Sequence, residues 1–159
     1  YILTKMTDEG LSYDEVLKDA QAKGFAEADP TADVEGIDAA NKLSILIALA
    51  FDRYIAPGDI PTTGITAITA KDIEEAAAQG KKIKLIGRAS VADGKLSYQV
   101  KPVLLDITHP LAGVSNEFNA VYITGDMVGE LMFYGRGAGP LPTGSAVCGD
   151  ILAIMKKRF

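Results

Sequence analysis

The hydrophobic period of this chain changes at Gly80, from a helical block to strands, and that change restricts the fold more than any other feature. Before Gly80, apolar residues recur at helical spacing; after it they alternate or run β-branched between turn signals. "SYDE" is a capping box, with Ser12 as cap and Glu15 reaching back, so a helix is predicted to about Lys23, ended by Gly24. Pro30 biases Asp29 away from helical backbone. A second helix is predicted from about Val34 to Tyr54. From Leu43 it is apolar on every side, which places it centrally. A third is predicted after the cap Thr69, with Asp72 at N3 and Gly80 as terminator. Residues 82–91 and 95–105 flank "ADGK" and read as a hairpin, as do "NAVYITG" and "GELMFYG" around "DMV". A Gly/Pro-rich stretch, "GRGAGPLPTG", then leads to a last helix over about 145–157. Helices, then hairpins, then one helix predict an α+β fold: a mixed, mainly antiparallel open sheet with helices on one face.

The chain's 159 residues suit a single domain with its own core. "YILTKM" opens as if in mid-element, so an excised domain or processed fragment is expected. A net charge of −5 argues against nucleic acid or an anionic membrane as the main partner. No apolar run reaches the ~18 residues of a membrane span, and no signal peptide is visible. Cys148 is the sole cysteine, so no intrachain disulfide can form, which fits a reducing, cytoplasmic setting. On the last helix, with no base near it in sequence, it is expected to serve packing.

Chemistry concentrates in "EADPTADVEGIDAANK", Glu27 to Lys42, where five acids precede a single base. Asp38 and Lys42 are four residues apart and share a helix face. One reading is a surface ion pair. The other is a lysine held protonated, poised to give a proton, beside Glu27, Asp29 and Asp33 on an adjoining loop. The same acids could receive a substrate ammonium. A divalent metal is the rival use, but the spacing does not match an EF-hand loop, and no metal site is expected. "GRGAGP" fits two positions of a dinucleotide fingerprint, but Pro140 stands at the third. Too little chain follows for a further strand and a ribose-binding acid, so a self-contained Rossmann unit is excluded. A flexible loop, or close backbone approach to a ligand held by another domain, remains. His109, before Pro110, reads as a loop residue.

"YILTKM", "GFAEADPTADVEGIDAANKL", "HPLAGVSNEFNAV" and "GRGAGPLPTGSAV" occur in that order and together resemble homoserine dehydrogenase, specifically its substrate-binding and catalytic domain. The resemblance covers nearly the whole chain, and its central motif E-x-D-P-x-x-D-x-x-G-x-D-x-x-x-K is long and specific. It implies NAD(P)-dependent interconversion of L-homoserine and L-aspartate 4-semialdehyde, in amino-acid biosynthesis from aspartate toward threonine and methionine. It implies Lys42 as proton donor and acceptor, Asp38 as the acid that binds the hydroxyl or aldehyde end and pairs with the lysine, and Glu27 as the anchor of the substrate ammonium. Asp33 matches a further acid of the pocket. Gly137 and Gly139 match the segment near the nicotinamide.

Phe25 departs from the tyrosine that many relatives carry two residues before the glutamate. The nucleotide-binding half, which would hold most of the NAD(P), lies outside this chain, so the fragment alone is expected to be inactive. A homodimer paired through the sheet is implied, with an apolar uncovered face drawn from "LMFY" and "YQVKPVLL". The alternative is a non-catalytic amino-acid-binding or dimerisation module. A Rossmann unit encoded upstream would separate the two.

Overall fold

A computed structural model describes residues 1–137 and 139–157. Two helices open the chain, α1 (Ile2–Glu9) and α2 (Tyr13–Ala22). The capping box at Ser12 and Glu15 forms as predicted. The helix predicted from Val34 to Tyr54 is instead two: a single turn, α3 (Thr31–Val34), and α4 (Ile37–Phe51). They break at Gly36, which sits at φ 80°, a left-handed conformation that costs glycine nothing. Thr69 and Asp72 form a second capping box at the start of α5 (Ala70–Ala78).

Two antiparallel hairpins follow. β1 (Lys81–Ala92) pairs with β2 (Lys95–Asp106), and β3 (Phe118–Gly125) pairs with β4 (Gly129–Arg136). Asp93 and Gly94 both take positive φ at the first turn, the geometry whose twist matches the strands it joins. The α+β class therefore holds. The single open sheet does not appear among the described residues; the strands make two separate two-stranded sheets. Hairpin closure is local and legible in the residue pattern, whereas pairing between hairpins depends on which edges tertiary structure brings together. Thr62 adds one isolated parallel bridge to Val100 of β2, outside the strands, and both sheets are antiparallel.

The last helix, α6 (Pro140–Lys156), starts five residues before the predicted onset. Pro140 at its first position loses an N–H that has no intrahelical acceptor anyway.

The core lies in the first two-thirds of the chain. Ile2, Val16, Ile73 and Ile83 join α1, α2 and α5 to β1, while Leu43 and Ile47 of α4 pack on Val100 of β2. The helices thus pack on one face of the first sheet. Only Ala40, Leu43, Ser44 and Ile47 of α4 are buried, and Leu49 is 79% exposed, so its outer face is open in this chain rather than central. No residue of β3, β4 or α6 is buried, and Cys148 is exposed, not packed. The exposed apolar residues include Leu131, Phe133 and Tyr134 of β4, within "LMFY"; in "YQVKPVLL" the exposed one is Leu104, which lies on the face of β2 that the helices cover and not on the uncovered face. Among the described residues, no helix is long and apolar enough to cross a membrane.

Candidate active site

Two short pieces of backbone carry the acidic motif, and each is locally held. After α2, the Gln21 side-chain amide donates to the carbonyls of Glu27 (3.0 Å) and Ala28 (3.2 Å), which pins the loop to the helix it leaves. Asp29 accepts from the Thr31 hydroxyl at 2.6 Å and the Thr31 N–H at 3.1 Å. These bonds, the hydroxyl's first, hold its carboxyl below the usual carboxylate range. Asp29 is therefore occupied in starting α3. Asp33, on α3, accepts from the Glu27 N–H at 3.3 Å. Glu27 and Asp33 are thus brought together, and the Glu27 carboxylate forms no hydrogen bond or ion pair among the described residues.

Beyond the Gly36 bend, Asp38 lies in the first turn of α4, where a negative charge suits the helix dipole. Lys42 follows one turn later, and its Nζ stands 2.6 Å from Asp38 Oδ2. The side chains are 60% and 48% exposed, so the pair opens to solvent in this chain. As an exposed helical pair it is worth only about 0.3–0.5 kcal/mol to the fold. Its value lies in holding an ammonium at a defined place on an accessible surface.

Gly137 and Gly139 flank the start of α6. The Gly137 N–H donates to the Glu117 carbonyl at 3.1 Å, and the Asn119 side chain occupies the space a Cβ would need. Gly139 caps α6 with φ 114°. No hydrogen bond or ion pair among the described residues joins this segment to Asp38 or Lys42. His109 caps the 3-10 turn Pro110–Gly113, its Nδ1 accepting from the Leu111 N–H at 3.1 Å, as suits a loop residue. Phe25 packs on Tyr1, ring centres 5.1 Å apart. Residues outside the motif also reach it, Thr66 and Gly64 among them. The Thr66 hydroxyl donates to Glu35 at 2.9 Å, and Gly64 lies against Glu35. In sequence they belong to an ordinary loop; nothing in their spacing signals the contact.

A family model described as homoserine dehydrogenase matches residues 1–152. The chain belongs to the homoserine dehydrogenase family. It is 51% identical over 98% of its length to homoserine dehydrogenase of Bacillus subtilis. Its fold is similar to the crystal structure of Staphylococcus aureus homoserine dehydrogenase at pH 6.5, with a TM-score of 0.90 and 49% identity over 98% of the chain and 39% of that structure. A hyperthermophilic archaeal homoserine dehydrogenase mutant, described in complex with NADPH, is 32% identical, with a TM-score of 0.74 over 99% of the chain and 44% of that structure. The chain spans 36–37% of the length of the curated relatives in B. subtilis and Synechocystis. Homoserine dehydrogenases are NAD(P)-dependent oxidoreductases.

The residues present fit that cofactor at its edge. Gly139 takes a backbone conformation that side chains rarely adopt and leaves room where a Cβ would be, so the chain can come close to a flat ring there, whereas at exposed Gly137 that space is filled by Asn119. Pro140 stands where the third glycine of a pyrophosphate fingerprint would be, so this segment is not a full dinucleotide cradle.

Proposed function

We propose that this chain is a single substrate-binding and catalytic domain of an NAD(P)-dependent enzyme that interconverts L-homoserine and L-aspartate 4-semialdehyde. The observation that carries this reading is the Asp38–Lys42 pair, an accessible ammonium held one helical turn above a carboxylate inside the family motif. When bound, the nicotinamide cofactor supplies or removes hydride at the reacting carbon. Lys42 gives its proton to the carbonyl oxygen in the reductive direction and takes it from the hydroxyl in the oxidative one. As a positioned cation it also stabilises negative charge developing on that oxygen. Asp38 holds the Lys42 ammonium in place and binds the same end of the substrate. Glu27, whose carboxylate has no hydrogen-bond or ion-pair partner among the described residues, accepts the substrate ammonium. Asp33 holds the Glu27 backbone and adds negative charge to the same pocket. Gly137 and Gly139 border the nicotinamide, most of the cofactor being held outside this chain. The domain by itself is therefore inactive. The holoenzyme acts in the cytoplasm as a homodimer paired through the sheet, with the exposed apolar residues of β4 in support.

The test is Lys42→Ala in the holoenzyme. Loss of a general acid lowers the turnover number by about 10²-fold or more, with a smaller change in KM for homoserine. Near-normal turnover would return the pair to the status of a surface ion pair.

A further inference from the structure

We propose that Gly64 is a positioning residue for this site: by carrying no side chain, it lets the segment Pro61–Ile65 press on the bend between α3 and α4 and sets the angle at which α4 presents Asp38 and Lys42. The inference rests on the site reading above and extends it to a residue outside the motif. Gly64 is buried, and a Cβ built on it falls 2.5 Å from Glu35 Cα and overlaps the Val34 carbonyl oxygen. Both obstacles are backbone, so neither can rotate away. Beside it, the Ile65 N–H donates to the Val34 carbonyl at 2.8 Å, and the Thr66 hydroxyl donates to Glu35 at 2.9 Å.

The segment that presses on the bend is itself anchored. The Thr63 N–H donates to the Val100 carbonyl at 2.8 Å, and the Val100 N–H to the Pro61 carbonyl at 2.9 Å. Val100 is fully buried in β2. On the far side of the bend, a Cβ on Gly36 would stand 3.0 Å from Thr62 Cγ2 and 3.3 Å from Val100 Cγ1. Residues 34–36 are thus wedged against the sheet through one short segment. Asp33 stands just before the wedge and Asp38 just after it. A push of about 1 Å there moves Glu27 and Asp33 relative to Asp38 and Lys42, and misplacement on that scale can cost a reaction about 10²-fold.

The experiment compares four variants of the holoenzyme by KM for homoserine, turnover number, KM for the nicotinamide cofactor, and melting temperature. Gly64→Ala is expected to raise KM for homoserine about tenfold or more and to lower turnover, leaving the cofactor KM within about twofold. Thr66→Val removes one exposed bond to the bend and should raise KM for homoserine by about two- to fivefold with little change in melting. Gly58→Ala is the control, since nothing lies within 4 Å of a Cβ there; it should change nothing. A purely structural Gly64 would lower the melting temperature and leave KM for homoserine untouched in the folded variant, which overturns the proposal. Should Gly64→Ala not fold, an unchanged KM in Thr66→Val overturns it. Lys42→Ala is the fourth variant. If it keeps its turnover, the site reading fails and takes this inference with it. If it is inactive while Gly64→Ala has a normal KM, this inference alone fails.

Discussion

An ammonium and a carboxylate 2.6 Å apart, both open to water, contribute almost nothing to stability, yet they fix where the Lys42 ammonium, the proposed proton donor, sits. That is why Lys42 and Glu27 can be probed by substitution without unfolding the domain. Glu27 holds its place through its backbone, by the Gln21 amide on its carbonyl and Asp33 on its N–H, while its carboxylate stays exposed. Glu27→Gln keeps the size and the backbone bonds and removes only the charge. If Glu27 faces the substrate ammonium, the holoenzyme variant should raise KM for homoserine by about tenfold, because an ammonium–carboxylate ion pair becomes an ammonium–amide hydrogen bond without the opposite charge. The melting temperature should stay within about a degree, since an exposed polar swap changes stability little. An unchanged KM with a lowered melting point would instead make Glu27 a loop-holding residue and leave Asp33 as the acid for the ammonium.

At the scale of elements, the capping boxes of α2 and α5 convert four residues into two defined helix starts. Thr69→Ala removes the side-chain acceptor for the Asp72 N–H and should destabilise the domain by about 1 kcal/mol, or roughly 2–4 °C in melting temperature for a chain of this size. The same boxes make stability depend on acid. The side-chain bond from Ser12, with the Ser12 N–H, lowers the Glu15 carboxyl below its ordinary value; the Thr69 hydroxyl, then its N–H, does so for Asp72. A depressed folded pKa means the contribution is complete above the ordinary carboxylate value of about 4 and is lost as pH falls through the lower, folded one. Melting temperature should accordingly drop as pH is taken from about 5 toward 2.5. Asp72→Asn should flatten part of that drop. A variant as acid-sensitive as the parent would mean that other carboxylates, such as Asp19 beside Lys23, dominate.

For the whole molecule, the uneven distribution of the core has a direct consequence. The first sheet and the helices on it share buried residues from α1, α2, α4 and α5, whereas β3, β4 and α6 bury none. Large apolar residues such as Phe133, Leu141 and Ile154 stay exposed there, and exposed apolar surface on that scale is what a covering partner would bury. The isolated domain should therefore fold and self-associate. Sedimentation at micromolar concentration should give a dimer, and a clean monomer would remove the proposed pairing through the sheet. The same sample should neither retain NAD(P) nor reduce it with homoserine.

How much of this is legible in the residues depends on the range of the forces involved. Both capping boxes, the Asp93–Gly94 turn, the two hairpins and the Asp38–Lys42 pair are decided within about five residues of chain, by side chains meeting their own backbone or their neighbours on a helix or ladder. Those features stand in the sequence and recur in the fold. The acid-rich motif was equally visible as a pattern of residue types. Tertiary structure alone decided the break at Gly36, the separation of the strands into two sheets, and the exposed outer face of α4. It alone set Gly64 against Glu35, since that contact joins segments about thirty residues apart through backbone atoms that look alike in every residue. A chain writes its short-range hydrogen bonds in side-chain identity, but it writes a close approach of two backbones only as a missing side chain, and a glycine in a loop has many other reasons to be there.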